Sequence, residues 1–210
     1  MARPDWLDSR ARPRRRRVRH DRPARLTCAF VESKELSVAL VVLLRGVNVG
    51  GYRAFRPRAL ADQLKQLGVV NIGAAGTFVI QKPVAPTQLR AELTRRLPFE
   101  TEIIICQGRE IIRLMSLEIF TEESARPGIV RFVSVLSRSP RLAPPLPMTL
   151  PTRGQWLLKV LAREGRFVVG QYRRHMKAIG YLGTLDRLFG VRLTTRNWNT
   201  MAAIVKVLEG

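Results

Sequence analysis

Apolar positions in this 210-residue chain become regular only from Val38. Residues 38–44 form an unbroken apolar run of strand length, the pattern of a strand buried on both faces. From Pro57, the side chains Leu60, Ala61, Leu64 and Leu67 fall at i, i+1, i+4 and i+7, which is one face of a helix. Pro57 suits the first helical position, and Gly68 suits the C′ stop. Residues 69–72 and 77–81 read as strands around a glycine-bearing break at 73–76, with Lys82-Pro83 ending the second. A second helix starts near Pro86-Thr87, carries Leu89, Leu93 and Leu97 at a four-residue repeat, and is closed by Pro98. Residues 101–106 are a further strand. The order strand, helix, strand, strand, helix, strand is that of a ferredoxin-like split βαβ unit, an antiparallel sheet with two helices on one face.

The second half is again mixed. Residues 108–120 predict a bridging helix through Ile111, Ile112, Met115 and Ile119, and Pro127-Gly128 marks a boundary. Residues 129–136 predict a strand, with Val130, Phe132, Ser134 and Leu136 on one face and Ile129, Arg131, Val133 and Val135 on the other. Residues 137–151 hold five prolines, too many for a helix interior or a central strand. A hairpin is expected from 155–161 and 166–171 around Arg163-Glu164-Gly165, then a helix over 176–189 and a short strand over 191–194. A last helix runs from about Asn199 through Met201, Ile204, Val205 and Leu208. The expectation is an α+β protein of two ferredoxin-like lobes: a basic extension at 1–37, a first lobe with its bridging helix at 38–120, and a second lobe at 121–210.

Charge changes the picture in one respect. Residues 1–37 carry 11 Lys/Arg against 5 Asp/Glu, and the rest carries 26 against 11, so most of the formal net charge of +21 lies in the patterned region. Such a field attracts nucleic acid, anionic lipid or acidic partners, although the basic residues are spread along the chain as on an arginine-rich solvated surface. In 1–37 the run Arg14-Arg15-Arg16-Arg17 and three prolines sit in a stretch without period, the composition of a disordered segment. A nucleic-acid arm would use residues 12–19. A transit peptide would be poor in acids, whereas Asp5, Asp8, Asp21, Glu32 and Glu35 are present. The expectation is an over-extended start, with translation beginning near Val38. No run is long enough to span a membrane, and two cysteines, Cys28 and Cys106, make neither a disulfide framework nor a cysteine-rich metal site. A reducing cytoplasm fits this usage.

Two stretches stand out chemically. The first is Arg45-Gly46-Val47-Asn48-Val49-Gly50-Gly51, directly after the first strand. Three glycines in seven residues are entropically expensive to order, yet the loop lacks the Lys-Ser/Thr of a P-loop and the spacing of a dinucleotide fingerprint. The second is Thr194-Thr195-Arg196-Asn197-Trp198-Asn199-Thr200 before the last helix, where Asn197 or Asn199 can cap and Arg196 lies beside a helix N-terminus.

Within and beside these stretches, Leu43-Leu44-Arg45-Gly46-Val47-Asn48-Val49-Gly50-Gly51 and Thr195-Arg196-Asn197-Trp198-Asn199-Thr200 resemble the paired signatures of the domain of unknown function 1697 family, uncharacterised and mostly bacterial proteins. The resemblance covers about residues 38–210 and implies two ferredoxin-like lobes without an established activity. Where the family commonly has a Ser-Gly-Asn turn between its second and third strands, this chain has Ala75-Gly76-Thr77. Its Arg174-His175-Met176-Lys177 does not match the family's Gly-Arg-Ser-Lys-type segment. If those polar positions belong to an active site, this member has altered or lost it.

Catalysis finds little support in the residue inventory. His175, the one histidine beyond the basic extension, lies among cations, no His/Asp/Glu cluster has metal-ligand spacing, and Glu122-Glu123 reads as a solvated pair. No cofactor or metal is called for. Binding is better supported: Arg45, Asn48 and the backbone at Gly50 and Gly51 are expected to converge with Arg196, Asn197 and Asn199 on an anionic or phosphate-bearing ligand, either a small molecule or nucleic acid. The alternative is that both motifs clasp the lobes of a structural or regulatory interaction protein; a second alternative is an enzyme of unknown reaction. The Lys/Arg-Gly-Phe-type run of RNA-binding sheets is missing, with Phe78 the one aromatic of the first lobe's central strands.

Overall fold

In the computed structural model, which describes residues 39–48 and 55–210, every strand belongs to one of two antiparallel sheets. The readings made for residues 1–37, and Val38, Gly50 and Gly51, lie outside the described residues. The first sheet contains β1 (Leu40–Leu44), β2 (Val69–Asn71), β3 (Thr77–Ile80) and β4 (Ile103–Gln107), in the order β2-β3-β1-β4. Helices α1 (Pro57–Gln63) and α2 (Pro86–Arg96) make its two crossovers. Both start on proline, whose fixed φ suits the first turn and whose missing N–H would have no partner there anyway. After α1 a 3₁₀ turn over Lys65–Leu67 ends at Gly68, which takes the left-handed conformation at φ 62°. This is the ferredoxin-like order expected of the first half.

The second sheet contains β5 (Ile129–Leu136), β6 (Met148–Leu150), β7 (Leu158–Glu164), β8 (Phe167–Arg173) and β9 (Leu193–Asn197), in the order β6-β7-β8-β5-β9. Omitting the edge strand β6, it repeats the order of the first sheet. The first crossover, a helix in lobe one, is here the proline-rich segment. Its three-residue strand β6 lies at the sheet edge, the place where proline is tolerated. The second crossover is α4 (Met176–Phe189). Each lobe ends the same way: α3 (Gly108–Met115) follows β4, and α5 (Trp198–Glu209) follows β9, with no loop between.

Several expected boundaries move. The bridging helix ends at Met115, not 120; the hairpin strands run to Glu164 and Arg173; and the last strand reaches Asn197, so that α5 begins at Trp198. Sheet pairing overrides the local pattern in each strand, because Thr194, Thr195 and Arg196 gain ladder partners on β5.

Three apolar clusters explain the layering. Leu40, Val42 and Leu44 of β1 pack with Phe78 and Ile80 under Leu60, Leu64, Leu89 and Leu93 of α1 and α2. On β5, Phe132 and Leu136 pack with Val168, Leu185 and Phe189, on the side covered by α4. The alternate residues of both strands, Val41 and Leu43 with Val133 and Val135, belong to one core shared with Ile111 and Leu114 of α3 and Met201 and Ile204 of α5. Apolar side chains thus line both faces of both central strands, and period two sends one set outward to the crossovers and the other inward to the joint between lobes.

Candidate functional site

The two signature stretches meet at that joint. Arg196 is on β9, opposite Val133 of β5, and its side chain faces the first lobe. It is 6% exposed. Its guanidinium carries five N–H groups, and each has an acceptor. Nε donates to Thr77 Oγ1 at 2.7 Å; Nη1 donates to Thr194 Oγ1 at 2.8 Å and Thr195 O at 2.9 Å; Nη2 donates to Leu44 O at 2.8 Å and Ala75 O at 2.7 Å, with Gly76 O at 3.4 Å. Burial lowers its pKa from 12.5 to about 10, so the group remains cationic at neutral pH. Among the described residues its partners are neutral oxygens, with no carboxylate.

Three of these acceptors, Thr77 Oγ1, Ala75 O and Gly76 O, come from the turn Ala75-Gly76-Thr77. The turn needs glycine at its centre: Gly76 has φ +66°, and a Cβ there would lie 2.6 Å from Val47 Cγ2 and 2.9 Å from Leu44 Cβ. Thr77 is fully buried and supplies a hydroxyl, while Ala75 contributes only its carbonyl. The side-chain differences in this turn therefore leave a complete set of acceptors for Arg196.

Arg45 works beside it. Its Nε donates to Leu193 O at 2.9 Å and its Nη2 to Asp186 Oδ2 at 2.5 Å, while its side chain stays 40% exposed. Asp186 Oδ1 also accepts from Leu193 N at 3.1 Å, so this carboxylate ties the end of α4, the start of β9 and lobe one together. Asn48, in the left-handed region at φ 54°, donates through Nδ2 to Phe55 O and Ala74 O and accepts from Phe55 N. Its amide therefore ties the end of the first signature's described part to Phe55 and Ala74.

The predicted site residues thus divide. Arg45 and Arg196 are brought to one joint. Asn197 is the N-cap of α5, accepting from Thr200 N and Oγ1 at 2.8 Å each, a role worth about 1 kcal/mol. Asn199 is exposed in the first turn of α5 and does not cap it. His175 caps α4, with Nδ1 accepting from Lys177 N at 3.1 Å. Glu123 is not simply solvated, because it accepts from Lys159 at 2.7 Å. Cys106 is buried, and burial pushes its thiol up to about 12, so it is not a thiolate nucleophile.

Sequence reasoning missed Thr77, Thr194 and Asp186. Thr194 stands directly before the second signature, and its Oγ1 also lies 3.3 Å from Leu44 O. Asp186 carries no local signal, since its partners are 141 residues away for Arg45 and seven for Leu193.

A mirrored contact sits across the joint. Leu44 N bonds Gly76 O, and Leu136 N bonds Arg166 O, so Gly76 and Arg166 hold equivalent places in the two lobes. Arg166 Nη2 donates to Ile105 O of β4, reversing the direction in which Arg196 of β9 reaches Gly76. Arg192 also pairs with Glu102 across the joint, at 3.5 Å.

These features define a two-lobed α+β protein whose ferredoxin-ordered halves are held by the buried Arg196 and the partly exposed Arg45 and Arg166. The chain belongs to the DUF1697 family of proteins of unknown function, whose model matches residues 38–144. Its structure is similar to that of the conserved bacterial protein SP0830 from Streptococcus pneumoniae, with 16% identity, a TM-score of 0.51, and 81% of this chain and 98% of that chain covered; this likeness shows the fold alone. No curated protein matches this chain. Among the described residues, no helix is long and apolar enough to cross a membrane.

Proposed function

We propose that the two signature stretches act as a clasp that sets the two lobes of a non-catalytic interaction protein in one fixed arrangement. One observation carries this reading: all five N–H groups of Arg196 are engaged by oxygens of the protein, three of them by the lobe-one residues Thr77, Leu44 and Ala75. A ligand anion at Arg196 would have to displace bonds whose loss leaves buried acceptors unsatisfied, at about 1–3 kcal/mol each. A second reading, an anionic ligand held by Arg45 beside Asn48, is favoured by the 40% exposure of the Arg45 side chain, although such a ligand would compete with Asp186.

The two readings separate on stability. Arg196→Met is expected to lose on the order of 3 kcal/mol, because the acceptors stay buried without donors. The melting temperature should fall by about 6–12 °C, and Arg45→Ala should lower it by no more than a few degrees. If Arg196→Met melts with the wild type, the clasp is wrong.

A further inference from the structure

We propose that the outer end of the second sheet's inner face, around Arg131, is a binding site for single-stranded nucleic acid held through its phosphates. Register places Lys159, Gln171 and Arg131 in one row across β7, β8 and β5. The next row on this face holds Val169, Val133 and Arg196. Arg131 and Arg196 are therefore near neighbours with opposite circumstances. Arg196 has every donor engaged. Arg131 is half-buried, yet among the described residues no oxygen accepts a hydrogen bond from it and no carboxylate pairs with it.

Aromatic rings hold the cations in place. The Arg131 guanidinium carbon lies 5.4 Å from the centroid of Phe120 and 5.8 Å from that of Trp198, two rings that meet edge to face at 4.7 Å. Two residues along β8 from Gln171, Arg173 has its guanidinium carbon 4.5 Å from the centroid of Trp156, and Lys159 Nζ is 4.4 Å from the same centroid. Stacking fixes these groups before a ligand arrives, which lowers the ordering entropy of binding. The carboxylate at this end is Glu123, which accepts from Lys159 at 2.7 Å and lies 3.5 Å from Nε2 of the buried Gln171. Its pKa is held below the ordinary value first by that Lys159 hydrogen bond; burial, the next effect, opposes it, and the charges of Lys159, Arg126 and Arg173 each lower it further. Three cations, Lys159, Arg126 and Arg173, thus act on Glu123, and Arg131 lies in the same row as Lys159 two strands away.

Geometry chooses the ligand class. Arg131 is anchored on Phe120 and Trp198, whereas Lys159 and Arg173 are anchored on Trp156, and the strands bearing Arg131 and Lys159 are two apart, about 10 Å. A single oxyanion does not reach both anchors, but successive phosphates of one strand do. A guanidinium accepts phosphate in a bidentate fork and presents a planar face on which an unpaired base stacks, a combination that an acidic peptide does not use. The net charge of +21 adds long-range attraction. This site is separate from the clasp and stands or falls without it.

The test is fluorescence anisotropy of the full chain with a labelled single-stranded oligonucleotide at a series of salt concentrations. Arg131→Gln is expected to weaken binding about tenfold and to reduce the salt slope by about one. Arg58→Gln, on the exposed side of α1, removes the same charge and should weaken binding less than about threefold. Arg131→Lys should fall between wild type and Arg131→Gln, because it keeps the charge and loses the fork. Equal weakening by the Arg58 and Arg131 variants would mean that only the overall field acts, and would overturn the site. Absence of binding by the wild type overturns it too, and a polyglutamate peptide that competes as well as unlabelled oligonucleotide overturns the nucleic-acid assignment.

Discussion

The two lobes thread their sheets in the same order and solve the first crossover differently. In lobe one the chain returns through α1, and Leu64 is buried beneath it. In lobe two it returns through the proline-rich segment, and half-buried Leu146, Met148 and Leu150 line the corresponding cluster. The strands register this difference at one pair. Leu40 pairs with Ile80 in lobe one, and Phe132 pairs with Gly170 at the equivalent place in lobe two. A Cβ on Gly170 would lie 2.6 Å from Phe132 Cζ and 2.3 Å from Lys159 O, so the phenyl ring occupies the space that Ile80 fills in the first lobe. The ladder beside it slips between Val160 and Ala162, an irregularity that accompanies the close approach of β7. Strand order therefore survives the replacement of a crossover helix, provided that the large side chain moves to the partner strand.

The largest effect expected from breaking this comparison is at Gly170. Gly170→Ala should destabilise by about 4 kcal/mol in urea unfolding, because the clash includes a backbone carbonyl that cannot rotate away. Adding Phe132→Leu should recover only part of the loss; full recovery would show that the ring alone requires glycine. Next comes a paired truncation of the crossovers. Leu64→Ala should cost about 2–5 kcal/mol and Leu146→Ala about 1, since the second side chain is only half-buried. Equal losses would mean that the proline-rich segment packs as firmly as α1. The smallest effect concerns Glu123, which has no counterpart among the inter-lobe pairs. Its carboxyl should titrate below the ordinary glutamate value by NMR, and Lys159→Met should move it back up. The sign follows: a depressed folded-state value contributes stability above the unfolded-state pKa, and that stability is lost as pH falls through the folded value. For so exposed a group the change in stability should be slight, and a titration unmoved by Lys159→Met would remove the pairing from the account.

Much of the fold was legible because burial leaves a period. The apolar run up to Leu44, the helix face of Leu60, Ala61 and Leu64, and the two-sided alternation of residues 129–136 each report which side of an element is covered. The five prolines of 137–151 excluded a helix there, and an edge strand is what such a segment tolerates. The site was legible only as two unusual stretches. Nothing in Arg45 or Arg196 distinguishes a ligand-binding arginine from an arginine bonded to carbonyls of the other lobe, because the same five donors serve either purpose.

By itself, then, the sequence determined the element order apart from β6, the α+β lobe architecture and the pair of arginine-bearing motifs, since these depend on contacts within a few residues or on the period of burial. Tertiary structure alone decided that Arg196 is saturated by Thr77, Thr194, Thr195, Leu44 and Ala75, and that Asp186 meets Arg45. It also decided that Arg131, one row away, lies over Phe120 and Trp198 with no acceptor among the described residues. Those outcomes depend on the register of strands more than sixty residues apart and on how two sheets meet, and no local pattern encodes either.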